Sequence, residues 1–136
     1  MNAVISLARA GLDLPAFSTA HWLIRLPLAG IILQQGFSKA PLAAEDAAAF
    51  GVPLFLWAMA ALGEIVAGTA LIAGGLINNW FGNVLTRLAG LAIAMIVFGV
   101  LYVAYWAPPL DLLLYNQFHI LLLVGGLYFA LRGNEA

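Results

Sequence analysis

Apolar runs of membrane-crossing length alternate with short polar breaks along this chain. The longest covers residues 53–76 (PLFLWAMAALGEIVAGTALIAGGL) and is interrupted only by Glu64 and Thr69. At about 1.5 Å rise per residue, a helix of this length crosses a hydrocarbon core of about 30 Å. Helical periodicity puts Trp57, Ala61, Glu64, Gly68, Leu71 and Gly75 on one face. Small residues dominate that face and let another helix approach closely. A carboxylate near the middle of such a span must face a partner or a cavity rather than lipid.

Three further spans are expected. The first covers residues 21–38, with Arg25 near its start, Pro27 in its first turns, Gln34 and Gln35 past its middle and Lys39 at its end. Residues 40–52 include Glu45 and Asp46 in an alanine-rich run that predicts a short surface helix. After the second span (53–77), residues 78–83 read as a polar turn with Trp80 and Phe81 as an aromatic anchor. The third span, 85–107, has Arg87 in its first turn and Tyr102, Tyr105 and Trp106 at its far end, where an interfacial aromatic belt is expected. Pro108, Pro109 and Asp111 make a break. The fourth span, 112–131, carries Asn116, Gln117 and His119, and a short polar tail (133–136) follows Arg132. In residues 1–20, Val4, Ile5, Leu7, Leu12 and Leu14 fit a short interfacial helix or a frayed tail. Arg9 and Asp13 interrupt any signal-peptide core there.

Composition gives this pattern its environment. Hydrophobic residues make up 65% of the chain and charged residues 8%, where soluble domains carry about a quarter charged. Mean hydropathy is +1.04. The expectation is an all-α integral membrane protein, a four-helix transmembrane bundle embedded in a lipid bilayer. The net charge of −1 and the lack of a basic run point away from nucleic acid, and the absence of cysteine excludes disulfides and thiolate metal sites. With four spans both termini share a side, which holds Arg9, Arg25, Arg87 and Arg132 against Lys39 alone opposite. The positive-inside rule makes that side cytoplasmic.

Counting along the spans brings polar residues of three helices to matching depths. Glu64 and His119 fall near the membrane centre, and Gln34, Gln35, Asn116 and Gln117 lie roughly 6–8 Å outward of it. Glu64 is either a structural carboxylate tied to Arg25 or a glutamine, or a proton-relay acid. Arg25 either snorkels inward or reaches that carboxylate. His119 fits a satisfied core histidine or a hydrogen-bond donor to a quinone. Haem is not expected, because His21 lies too far along the bundle to share an iron, and the strong ligands are too few for a metal. Gln34, Gln35, Asn116 and Gln117 serve as interhelical glue or as the lining of a polar headgroup site. Lys39 and Arg87 are charges at the membrane ends. Trp57, a turn inside on the Glu64 face, is a cavity candidate, while Trp22, Trp80 and Trp106 are interfacial anchors.

One set of short motifs resembles a family. The first span reads Arg25-x4-Gly30-x5-Gly36-Phe37-Ser38-Lys39. The second reads Gly51-x-Pro53, Gly63-Glu64-x3-Gly68 and Gly74-Gly75-Leu76, and the third opens with Thr86-Arg87. From about residue 20 to 133 the chain resembles the DoxX-like family of small four-helix bacterial membrane proteins. The resemblance implies a four-helix bundle in the bacterial inner membrane and a link to membrane redox chemistry, such as thiosulfate:quinone oxidoreduction. It carries over to Arg25, Gly36, Lys39 and Glu64. Three functions are then open. The foremost is the membrane subunit of a quinone-linked oxidoreductase complex, with Glu64 as proton relay and electrons from a protein partner or substrate, since no flavin, thiolate or haem motif is present. The second is a non-enzymatic anchor or assembly subunit, within a complex or a homo-oligomer. The third is a small-solute transporter.

Overall fold

The computed structural model describes residues 18–135. Its elements are helices: α1 (Trp22–Ser38), α2 (Ala44–Ala49), α3 (Leu54–Leu76), α4 (Trp80–Ala104), α5 (Pro109–Tyr115) and α6 (Gln117–Arg132), followed by a 3₁₀ turn, Gly133–Glu135. The N-terminal stretch weighed as an interfacial helix lies outside the described residues. The short helix expected in residues 40–52 is α2, with Glu45 and Asp46 in its first turn. Gly51 then turns the chain with φ +71°, a conformation that favours glycine, and α3 follows.

Helices α3 and α4, of 23 and 25 residues, are each long and apolar enough to cross a membrane. Beyond shifts of up to three residues at other helix ends, two differences from the expected spans stand out. Helix α4 begins at Trp80 rather than near residue 85, because the Asn79 side chain accepts hydrogen bonds from the Phe81 and Gly82 N–H groups at 3.0 and 3.2 Å. The polar run read as a turn is therefore a helix N-cap.

The second difference is larger. The single helix expected over 112–131 is two, bent by 103° at Asn116. Asn116 (φ −128°, ψ 43°) donates its N–H to the Leu112 carbonyl to close α5, and its own carbonyl accepts from Ile120 N–H to open α6. Asparagine competes with helical backbone bonding through its side chain, and here its Oδ1 lies 3.2 Å from His119 Nδ1. Taken as one broken span, α5–α6 is a third apolar passage.

Helix α4 is central, packed along α3 on one side and α6 on the other, while α1 packs against α3. The core between them is built from Leu28, Ala29 and Ile32 of α1, Ala67 and Leu71 of α3, Ile93 and Val97 of α4, and Leu122 and Phe129 of α6. Leu23, Phe55, Leu62, Met95, Leu121 and Leu131 point outward and are mostly exposed. Such an apolar exterior suits lipid rather than water.

Glycines set how closely these helices approach. A Cβ on Gly90 would lie 2.5 Å from the Gly126 carbonyl oxygen and 2.6 Å from Ala130 N, so α4 and α6 meet backbone to backbone. Gly68 lies against the Leu33 side chain and the Ala29 carbonyl of α1 and Gly75 against the Arg25 and Trp22 side chains, which places these glycine faces inside the molecule. Gly90→Ala must push α4 from α6 and should cost about 1–3 kcal/mol, read as a lower melting midpoint in detergent. Gly30→Ala, whose Cβ meets nothing within 4 Å, should leave the midpoint unchanged or raise it.

Candidate functional site

The two ends of α1 carry two different polar clusters, about 20 Å apart by helix rise. At the first, Arg25 is fully buried and meets no carboxylate among the described residues. Its Nη1 donates to the Leu71 carbonyl (2.6 Å) and to Thr86 Oγ1 (2.9 Å), its Nη2 to Asn134 Oδ1 (2.9 Å) and its Nε to His21 Nδ1 (3.0 Å). The guanidinium lies over the Trp22 and Phe129 rings, 5.3 and 4.8 Å from their centroids. Leu71 lies in the second-last turn of α3.

Asn134 completes this cluster from the other end of the chain. Its amide donates to the Gly74 carbonyl (2.8 Å), while its Oδ1 also accepts from Thr86 (2.7 Å) and its N–H donates to Asn83 (3.0 Å). Arg87 Nη1 donates to the Leu131 carbonyl (2.7 Å) near the C-terminal end of α6. Arg25 and Arg87 thus fasten α1, α3, α4 and α6 together where the chain ends. Arg25 does not reach Glu64; its head group is buried in this cluster rather than snorkelling to the inner interface.

At the other end of α1 the partner of Glu64 is Lys39. The α1 and α3 backbones close up at Gly36, whose Cβ would lie 3.0 Å from the Ala61 carbonyl oxygen and 3.2 Å from Glu64 Cβ. Lys39, three residues on and thus on the same helix face, puts its Nζ 2.8 Å from Glu64 Oε1. Both side chains are buried, at 9% and 3% exposure. The reading of Lys39 as a charge at the membrane end is corrected: it caps α1, but its side chain folds inward. The ammonium also donates to the Gln35 carbonyl (3.3 Å) and sits 5.1 Å from the Trp57 ring centroid.

Beside this ion pair is a cavity of about 590 Å³, within the usual range for a small-molecule site. It is lined by the polar Gln35, Lys39, Trp57 and Glu64, by Asp46 and Phe50, and by Val100, Tyr105 and His119. Phe50 stacks on Trp57 with centroids 5.1 Å apart, and Tyr105 lies tilted against His119 at 4.8 Å. Two buried polar atoms, Trp57 Nε1 and Glu64 Oε2, have no partner among the described residues. Buried polar groups ordinarily find one, so the site is chemically incomplete as these residues build it.

The structure therefore gathers Glu64, Lys39, Trp57, Gln35 and His119 around one cavity. Gln34 and Gln117 are exposed, and the Asn116 side chain bonds only to His119 among the described residues. None of the four amides, Gln35 included, bridges two long helices through its side chain there, so the glue reading is not what this fold uses. Sequence reasoning passed over Asn134 and Phe129. Gly133, with φ +60° after the last helix, is the signal that turns Asn134 back onto the helix ends. Among the described residues, no group of three or more His, Asp or Glu side chains could hold a metal ion. Comparison with protein-family models, curated proteins and solved structures gives no match.

Proposed function

We propose that this chain is a DoxX-like membrane subunit of a quinone-linked redox assembly, and that its cavity receives the quinone ring. In this reading α1, α3, α4 and the broken pair α5–α6 make four passages through a bacterial inner membrane. Both termini are cytoplasmic, on the side where Arg25, Arg87 and Arg132 gather. The observation that carries the ligand site is the cavity beside the Lys39–Glu64 pair, with its unpartnered Trp57 and Glu64 atoms. Trp57 Nε1 and Lys39 are donors suited to a ring oxygen, and Glu64 is a carboxylate able to take up or release a proton there. Phe50, Val100 and Tyr105 supply the apolar wall that a ring needs. A bound quinone would supply two-electron, two-proton chemistry, with electrons from a partner protein or substrate.

The test is purification from the native membrane in mild detergent, with mass spectrometry of co-purifying proteins and extracted lipids. The expected result is an oxidoreductase partner and retained quinone. Recovery of the chain with phospholipid alone contradicts the proposal. In the assembled complex, Glu64→Gln should lower quinone-linked turnover by about 10²–10⁴-fold. Full turnover with a lowered melting midpoint would instead favour an anchoring subunit whose ion pair only fixes helix packing.

A further inference from the structure

The unsatisfied atoms of the cavity specify more than a ring. Among the described residues nothing donates to Glu64 Oε2, an acceptor, and nothing accepts from Trp57 Nε1, a donor. Both side chains line the cavity and flank one ammonium, since Lys39 Nζ pairs with Glu64 Oε1 at 2.8 Å and sits 5.1 Å from the Trp57 ring centroid. Ionised beside that ammonium, Glu64 offers only acceptors, and the pair carries no net charge. A neutral ligand therefore suits the site better than an ion.

One unpartnered donor and one unpartnered acceptor complement a hydroxyl, which accepts through its oxygen and donates through its hydrogen. A carbonyl only accepts, and would leave Oε2 as bare as before. His119 adds to the asymmetry. Its ring lines the cavity, and with Nδ1 donating across the 3.2 Å to Asn116 Oδ1 the other ring nitrogen would be an acceptor.

We infer that the cavity binds the hydroxyl-bearing, reduced form of its ring ligand (a quinol or related phenol) in preference to the carbonyl form. Trp57 Nε1 donates to the hydroxyl oxygen, and the hydroxyl donates to Glu64 Oε2. This rests on the reading of the cavity as a quinone-type site. It adds a direction: the ligand is held most tightly when it has protons to give.

The test is anaerobic calorimetric titration of the purified chain in detergent with three probes: a short-chain quinol, its quinone and the quinol dimethyl ether. The quinol should bind at least about tenfold more tightly than the quinone, the size of one hydrogen bond to a charged acceptor. The dimethyl ether, which cannot donate, should bind no better than the quinone. Glu64→Gln, whose amide can donate to a carbonyl, should remove the preference. Trp57→Phe should weaken quinol and quinone alike. If Glu64→Gln does not fold, the ether comparison on the unmodified chain decides the same question. Equal affinity for quinol and quinone, or tighter quinone binding, overturns the inference and leaves the quinone-type cavity standing. Failure of all three probes to bind overturns both.

Discussion

Lys39→Met should destabilise the protein by about 3–5 kcal/mol, because it leaves the Glu64 carboxylate buried with no cation. The ion pair is enclosed at 9% and 3% exposure, and no other cation reaches Glu64 among the described residues. The double variant Lys39→Met/Glu64→Leu should regain most of the loss, since a buried pair exchanged for apolar residues of similar volume is often neutral or stabilising. Denaturation midpoints of the two single variants and the double variant form a mutant cycle, and the expected coupling is well above that of an exposed pair. Additive losses would contradict the burial. The double variant should fold yet lose ligand binding, which separates the scaffold role of the pair from its role in the cavity.

Arg25→Leu should cost about 2–4 kcal/mol by a different route. It removes hydrogen bonds from a charged fork to Leu71, Thr86, Asn134 and His21 together, and leaves those buried acceptors with fewer donors. Arg25→Lys keeps the charge but not the planar fork that reaches three elements at once, so it should recover only part of the loss. Because Arg25 sits about 20 Å from Lys39 along α1 and does not line the cavity, ligand affinity of the folded Arg25→Lys protein should match the wild type. Thermal melts in detergent with ligand titrations on the same preparation read both quantities. A large affinity change with an unchanged melt would place Arg25 in the wrong site.

Much of this arrangement is readable from local patterning. The apolar length of residues 53–76 locates α3, and its single carboxylate marks the polar centre. Trp57, about two turns before Glu64, is identifiable as a cavity residue because helical periodicity alone puts the two on one face. What is not readable follows from tertiary geometry. Arg25 and Lys39 share α1, and charge alone gives either of them to Glu64. The choice is made by Gly36, where the backbones of α1 and α3 come closest and deliver Lys39 rather than Arg25. The break at Asn116 is hidden because no proline or glycine marks it. It rests on an asparagine side chain held by a histidine three residues on. Asn134 is invisible as a site residue because its partners lie more than 45 residues away in sequence.

The most direct measurement of the central claim is ligand-induced quenching of Trp57 fluorescence, in a chain whose Trp22, Trp80 and Trp106 are replaced by phenylalanine. Trp57 lines the cavity, so titration with a short-chain quinone should give saturable quenching. Gly99 also lines the cavity, and a Cβ there meets nothing within 4 Å. Gly99→Phe should therefore fill the space and abolish the saturable component without lowering the melting midpoint. Quenching that rises without saturation, and equally in the Gly99→Phe protein, would show only collisions in the lipid phase and contradict a ligand site beside Glu64.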